Sequence, residues 1–404
     1  MVPTGPGVGL TSVCLGLVRV LEREGLRVGF IKPIRQPGDD SAPERSTEFV
    51  RRSTTIVPGE PMLFDSAEAL LAAGRHSELL QALVGRYAAA AAGADVVIVE
   101  GLAATAEHPN LDALNSDIAR ALDCQVLLVT TPLPSLHALD DRLELAAQPF
   151  GGAGSEHLLG VVINQLNAPR MEVMGATRTN LRVPEVEQTA EGLLREMRIF
   201  RHPGFALVGA IPFSPAMVSP RTLDVAKHLG ATVLHEGDLA SRRVIDVSLV
   251  ARTVAHMTHR LRPDALLITP ADRDDVILAV CMAALNGVPL AGLVLTGDME
   301  PNADVMKLCE KAIATGLPVL AVTSDSYVTA ARAAAMNLEV PSDDVERMER
   351  VMKVAAEHLD VTTLKARVGG RRVLRLSPPA FLYRVVELAR AAGKRIVLPE
   401  GEEP

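Results

Sequence analysis

Pro3-Thr4-Gly5-Pro6-Gly7-Val8-Gly9-Leu10-Thr11-Ser12 decides how this chain is read. Three glycines alternate through a short turn, and a helix follows over Ser12–Glu24. A glycine turn between a buried strand and a helix points the N–H groups of the first helical turn outward, an anion-binding frame. Thr4, Gly5, Gly7 and Gly9 build the turn, and the hydroxyls of Thr11 and Ser12 can donate to an anion or hold Mg2+. The phosphate-binding form of this loop carries a lysine just before the Ser/Thr, where it neutralises the outer phosphates. Here that position is Leu10. Two readings stay open: a nucleotide-type site without its key charge, or a structural remnant without a ligand. Only Met1 and Val2 stand before the loop as strand, against a usual length of about five or six residues, so the chain reads as cut at this end.

Working outward, short apolar runs alternate with helical patterns. Strands are predicted at Val28–Ile31, Val96–Val99, Val126–Val129, Leu159–Ile163 and Leu207–Ile211. Helices are predicted at Ser66–Ala73, Ser77–Ala92, Leu114–Leu122 and Leu136–Ala147, with Asp65 and Glu68 spaced as a capping box. This alternation predicts an α/β fold, a parallel sheet with helices on both faces, over a first domain of residues 1–220. Pro33 to Ser46 and Asn167 to Gln188 read as polar loops.

A second, smaller α/β domain is predicted over residues 221–341. Strands Ala265–Thr269, Gly292–Thr296 and Val319–Thr323 each end in threonine and are followed by a polar turn and a helix, one strand–helix unit used three times. Residues 342–375 read as a charged helix and a basic connector. The connector's Arg367, Arg371, Arg372 and Arg375 suit a solvated linker or docking on an acidic surface. From 376 a further domain begins. Ser377-Pro378-Pro379 starts a helix, Gly393 ends it, and Arg395-Ile396-Val397-Leu398 reads as a strand. One helix and one strand cannot close a sheet, so the chain reads as stopping inside that domain.

Composition bounds the function. The chain of 404 residues is 48% apolar and 3% aromatic, lacks tryptophan and carries a net charge of -8, so its cores are aliphatic. It has neither the basic stripe nor the aromatic platforms of a nucleic-acid binder. It also lacks an apolar run of membrane-spanning length. Cys14, Cys124, Cys281 and Cys309 form no CxxC pair and read as buried, reduced thiols of a cytoplasmic protein. Among His202, His228, His235, His256 and His259 there is no metal-ligand spacing.

Two more residues fit the loop's frame. Lys32 follows the second strand, and Glu100 follows the third, where a carboxylate can hold a metal. In the second domain, Thr269, Asp272, Arg273 and Thr296 are candidates for an effector site. Arg273 between carboxylates can clamp an anion, and Asp272, Asp274 and Asp275 can simply cap a helix. No nucleophile elbow, paired-carboxylate site or Cys–His set is present, so no catalytic residue is assigned.

These segments resemble the N-terminal portion of the long bacterial phosphate acetyltransferases. The likeness runs through Pro3 to Ser12, Lys32-Pro33-Ile34, Val99-Glu100-Gly101-Leu102, Val162-Ile163-Asn164, Glu236-Gly237-Asp238, Ala271 to Val276, Leu295-Thr296-Gly297, Ala314 to Val319, Leu376 to Phe381 and Ile396 to Gly401. The resemblance implies a P-loop-type domain similar to dethiobiotin synthetase, a DRTGG module with Asp298 in place of a signature glycine, and the opening of an acyltransferase domain. It implies that the whole enzyme interconverts acetyl-CoA plus phosphate with acetyl phosphate plus CoA in acetate metabolism. The substrates are then handled by a domain missing here, this portion alone is inactive, and its N-terminal parts serve regulation and homo-oligomers, notably hexamers. No cofactor is required, and small anionic metabolites, a nucleotide-type effector or Mg2+ are the ligands implied for the loop. The alternatives are an ATP-dependent carboxylate–amine ligase, which Leu10 disfavours, and a stand-alone metabolite-sensing module.

Overall fold

The computed structural model of the chain describes residues 1–38, 43–171, 181–182, 187–336, 338–368 and 377–394. The strand expected at 395–398 lies outside them. The strands are β1 (Val2–Pro3), β2 (Val28–Ile31), β3 (Val96–Val99), β4 (Val126–Thr130), β5 (Leu158–Leu166), β6 (Arg170–Met171), β7 (Leu181–Arg182), β8 (Ala206–Pro212), β9 (Thr232–His235), β10 (Asp246–Leu249), β11 (Ala265–Pro270), β12 (Gly292–Thr296) and β13 (Val319–Val322). The helices of the first half are α1 (Leu10–Arg23), α2 (Arg45–Ser53), α3 (Phe64–Ala72), α4 (His76–Ala91), α5 (Leu111–Ala121), α6 (Leu136–Ala147) and α7 (Ala190–Glu196). Those of the second are α8 (Pro215–Val218), α9 (Thr222–Leu229), α10 (Asp274–Leu285), α11 (Ala303–Ile313), α12 (Ser326–Ala334), α13 (Val345–Glu357), α14 (Val361–Val368) and α15 (Pro378–Ala391).

The described residues form two compact units. One holds Met1–Ala168, Glu187–Phe213 and the described residues from Pro341 onward; the other is centred on Ser214–Val340. In the first unit β1, β4, β5 and β8 form one parallel ladder, and β2 and β3 another. Met1 joins them: its amino group donates to the Val99 carbonyl at 2.9 Å, and Gly101 N–H donates to the Met1 carbonyl at 3.0 Å. The strand order is therefore β2-β3-β1-β4-β5-β8. The chain leaves β1 in one direction and returns past it after β3, so β1 borders the switch point where open α/β sheets bind ligands.

α1 is amphipathic: its apolar residues from Val13 to Leu21 are buried, while Thr11, Ser12, Arg19 and Glu22 are half-buried and Arg23 is exposed. α13 covers it, and the crossing is close: a Cβ on Gly16 would stand 2.5 Å from the Ala355 Cβ. The charged helix expected at the start of 342–375 forms as α13, but within the first unit rather than as part of a linker. Met348, Val351, Met352, Ala355 and Ala356 are buried, a stripe at helical spacing that belongs to the first unit's core. Beyond α13, Asp360 N–H donates to the Val208 carbonyl at 2.7 Å, and α14 follows where a connector was expected. Arg371, Arg372 and Arg375 lie outside the described residues.

α15 starts as its sequence predicts, with Ser377 as N-cap accepting from Ala380 N–H at 3.3 Å. It lies on the first unit, with Ala380 and Tyr383 packed against the cluster built by α3, α4 and α5. The capping box expected at Asp65 and Glu68 does not form. α3 begins at Phe64 behind Leu63, which places Asp65 inside the first turn.

The second unit has a five-stranded sheet, β10-β11-β12-β13-β9, parallel except for the antiparallel edge strand β9. The three threonine-ended strands are β11, β12 and β13, side by side. α10 and α11 bury Val276, Ile277, Val280, Cys309 and Ala312 on one apolar cluster, while α9 and α12 bury Val225, Leu229, Ala330 and Ala333 on the other. Strands β9 and β10 were not anticipated. Each has four residues, and β10 carries the buried polar pair Asp246 and Ser248, joined at 2.7 Å, which breaks its apolar pattern.

Candidate functional site

The site forms where β1, β2 and β3 end. Thr4 N–H donates to the Val129 carbonyl at 2.9 Å, and Thr4 Oγ1 donates to Thr130 Oγ1 at 2.8 Å, anchoring the start of the loop to β4. Gly7 and Gly9 have φ of +72° and +74°, a region open to glycine and costly for other residues. Gly9 is the N-cap of α1. Asn164 at the end of β5 donates from Nδ2 to the Val8 carbonyl at 2.9 Å, and a Cβ on Gly9 would stand 2.4 Å from that nitrogen. Asn164 thus holds the loop's crest and leaves room there for glycine alone. Gly9→Ala is expected to destabilise the first unit by about 2–3 kcal/mol, roughly 1–2 for the left-handed backbone and about 1 for the Asn164 hydrogen bond. Urea denaturation followed by circular dichroism measures it.

Leu10, at the lysine position, is only 8% exposed and belongs to the core. The side chain that would meet a phosphate is instead an apolar anchor for the first turn of α1. Lys32 and Glu100 come together beneath the loop, only 4% and 1% exposed as side chains. Lys32 Nζ donates to Glu100 Oε1 at 2.9 Å and to the Gly101 carbonyl at 3.0 Å. The same Oε1 accepts from Ser46 Oγ at 2.7 Å and from Thr11 Oγ1 at 3.2 Å, and those two hydroxyls are 2.9 Å apart. Glu100 Oε2 is buried without a hydrogen-bond partner among the described residues. The Cys14 thiol is held well above its ordinary value, first by burial and then by the Glu100 charge.

Of the loop-site residues predicted from sequence, the structure joins Thr11, Lys32 and Glu100 in one network. It places Thr4, Gly5, Gly7 and Gly9 in the turn above it and Ser12 in the first turn of α1. Ser46 was missed, because the segment from Pro33 to Ser46 reads as a polar loop. In the structure α2 starts at Arg45 with Glu44 as N-cap, whose buried carboxylate accepts from Thr47 N–H and Thr47 Oγ1, both at 2.7 Å. The signal was present as an acidic N-cap followed by Ser-Thr and apolar Phe49-Val50. Two side-chain amides clamp the backbone behind Glu100: Asn115 accepts from and donates to Leu102, and Gln36 does the same with Ala103.

In the second unit Thr269 and Thr296 are buried at the ends of β11 and β12, and Thr296 Oγ1 meets Ser326 Oγ. Asp272 is exposed. Arg273 binds Asp275 through two nitrogens at 2.8 and 3.0 Å and reaches the Arg252 carbonyl at 3.1 Å, which lowers the Asp275 pKa. No side chain caps α10. A cleft of about 390 Å³ lies one strand further along, lined by Gly297, Asp298, Glu300, Thr323, Ser324 and Arg332 among others. The four candidates do not line it.

Among the described residues no group of three or more His, Cys, Asp or Glu side chains could hold a metal ion. Burial pushes the Cys14 and Cys281 thiols up and that of Cys124 up to about 11, the opposite of what a nucleophile needs. No helix among the described residues is long and apolar enough to cross a membrane.

Comparison with known proteins matches residues 1–221 to the AAA domain family and residues 224–336 to the DRTGG domain. Over 100% of its length the chain is 45% identical to the phosphate acetyltransferase of Pseudomonas putida and 46% identical to that of Pseudomonas aeruginosa, covering 56% of each. It is 41% identical to the phosphate acetyltransferase of Escherichia coli, covering 57% of it. The chain thus spans little more than half the length of these relatives. A solved structure of the CBS and DRTGG domains of the regulatory region of Clostridium perfringens pyrophosphatase, complexed with the activator diadenosine tetraphosphate, aligns at 16% identity and a TM-score of 0.24. It covers 34% of this chain and 60% of that one. The chain belongs to the AAA domain family through its P-loop-type first domain, carries a DRTGG domain behind it, and corresponds throughout to the N-terminal portion of phosphate acetyltransferases.

Proposed function

We propose that this chain is the effector-binding and assembly portion of a cytoplasmic phosphate acetyltransferase. The whole enzyme, on this reading, catalyses acetyl-CoA plus phosphate to acetyl phosphate plus CoA. The observation that carries the proposal is the alignment over 100% of the chain with phosphate acetyltransferases at 45–46% identity. The chemistry of the described residues supports it. Attack of phosphate on a thioester calls for cations and hydroxyls around the phosphate and donors for the developing oxyanion. Here the buried lysine beside the glycine loop is paired with Glu100, and the thiols of Cys14, Cys124 and Cys281 are raised by burial. What remains is a glycine loop at the head of a 14-residue helix, a frame whose N–H groups suit a small anion. The homo-oligomer, hexameric by family resemblance, belongs to the same proposal.

The purified chain is expected to form no acetyl phosphate from acetyl-CoA and phosphate, and to bind at least one small anion in calorimetry with pyruvate, NADH, nucleotides and CoA. Turnover by this chain would overturn the assignment. ATP hydrolysis abolished by Lys32→Ala would instead support the ligase reading. Binding of none of the anions would leave assembly as its role.

A further inference from the structure

In a P-loop-type site Mg2+ sits between the hydroxyl of the first helical turn, an acidic side chain at a strand end and the phosphates of the ligand. The matching groups here are Thr11 and Glu100, and in this structure they do not fit a metal ion. Glu100 Oε1 already accepts from the Lys32 ammonium at 2.9 Å, from Ser46 and from Thr11, and the Thr11 hydroxyl is itself 2.9 Å from that of Ser46; Oε2 has no partner among the described residues, but it is buried and belongs to the carboxylate that the ammonium neutralises. Mg2+ demands oxygens at about 2.0–2.1 Å in octahedral array and keeps several waters. An ion at that distance from Oε1 would stand against a buried ammonium, with like-charge repulsion little screened. Moving Lys32 aside would strip it from Glu100 and from the Gly101 carbonyl and leave a buried charge unpaired.

We infer that Lys32 stands in for the divalent cation of this site, and that the loop takes a metal-free oxyanion of low charge rather than a metal–triphosphate. The inference rests on the effector-binding reading above and names the ligand class for it. Lys32 and Glu100 cancel in charge, and Leu10 contributes none. What the loop itself offers an anion is backbone dipoles, the N–H groups of the glycine turn and of the head of α1. Such a field holds a phosphate or carboxylate group. It lacks the concentrated positive charge that three phosphates require. Ser46 completes the arrangement, because its hydroxyl joins that of Thr11 on the same Glu100 oxygen. Lys32 is a positioning residue here: it fixes Glu100 and, through it, Thr11.

The test uses the full chain, with inorganic phosphate and ATP as probes, in magnesium buffer and in EDTA. Calorimetry is expected to give a phosphate affinity equal within about twofold in the two buffers and no gain for ATP on adding magnesium. Water-proton relaxation is expected to show no Mn2+ held by the wild-type chain with either probe. In Lys32→Gln, checked for folding by circular dichroism, Mn2+ binding is expected to appear and to vanish again in Lys32→Gln/Glu100→Gln. A gain of about tenfold or more with magnesium, or Mn2+ held by the wild type, would show that Lys32 yields to a metal; the effector-binding reading would stand and this inference would fall. Failure of both probes to bind in either buffer would overturn the two together.

Discussion

A Lys32→Met variant is expected to lose about 3–5 kcal/mol of unfolding free energy from the first unit, the cost of removing one partner of a buried ion pair. The two side chains are only 4% and 1% exposed. Without the ammonium, the Glu100 carboxylate would be left with two hydroxyl donors on Oε1, while Oε2 already has no hydrogen-bond partner among the described residues. Against a typical domain stability of about 5–15 kcal/mol the loss is large. Lys32→Met/Glu100→Gln is expected to recover about 2 kcal/mol or more, since the second change removes the charge that the first left unpaired. Urea denaturation of the two single variants and the double variant measures the coupling, following the transition of the first unit because a chain of two units need not unfold in one step. Additive changes, within about 0.5 kcal/mol, would mean that the pair contributes nothing.

Gly160→Ala is expected to be more damaging still, above about 4 kcal/mol, with most of the variant insoluble. Gly160 lies within β5, between Leu127 of β4 and Ala206 of β8. Its φ of +142° is one that residues with a side chain rarely adopt. A Cβ there would stand 1.9 Å from the Ala206 carbonyl oxygen and 2.6 Å from its nitrogen, so backbone, not a flexible side chain, would have to move. The β5–β8 ladder would part, and with it the cluster in which Val161, Ile163 and Phe205 pack on Leu193 and Met197. The soluble fraction and the urea midpoint report the loss. A variant as soluble and stable as the parent chain would show that this ladder tolerates a one-residue shift.

The contrast between these two sites shows which features local pattern carries. The apolar runs of β2, β3 and β12, the helix α6 and the Ser377 cap of α15 follow from periodicity and capping within a few residues, and they form where the sequence predicts. The glycine loop was legible for the same reason, since a turn with φ above zero admits few residues besides glycine. Leu10 was legible as a missing charge, though not as the buried anchor it is. The helix α13 was legible too, but the burial of its stripe of Met, Val and Ala was not, because that stripe gains its partner only where α1 lies against it.

Local pattern, then, was enough to specify an α/β chain with a phosphate-loop frame lacking its lysine, and a threonine-ended strand repeat behind it. The fate of Lys32 and Glu100 was decided across 68 residues of chain, by the register that sets β2 beside β3. Ser46 reached them through a helix announced by its Glu44 cap and by the apolar Phe49 and Val50. Spacing along a sequence reports which groups are available. Whether a lysine faces a ligand or neutralises a neighbouring carboxylate depends on which charges the packed sheet brings within about 3 Å of each other, where burial makes pairing far more favourable than solitude.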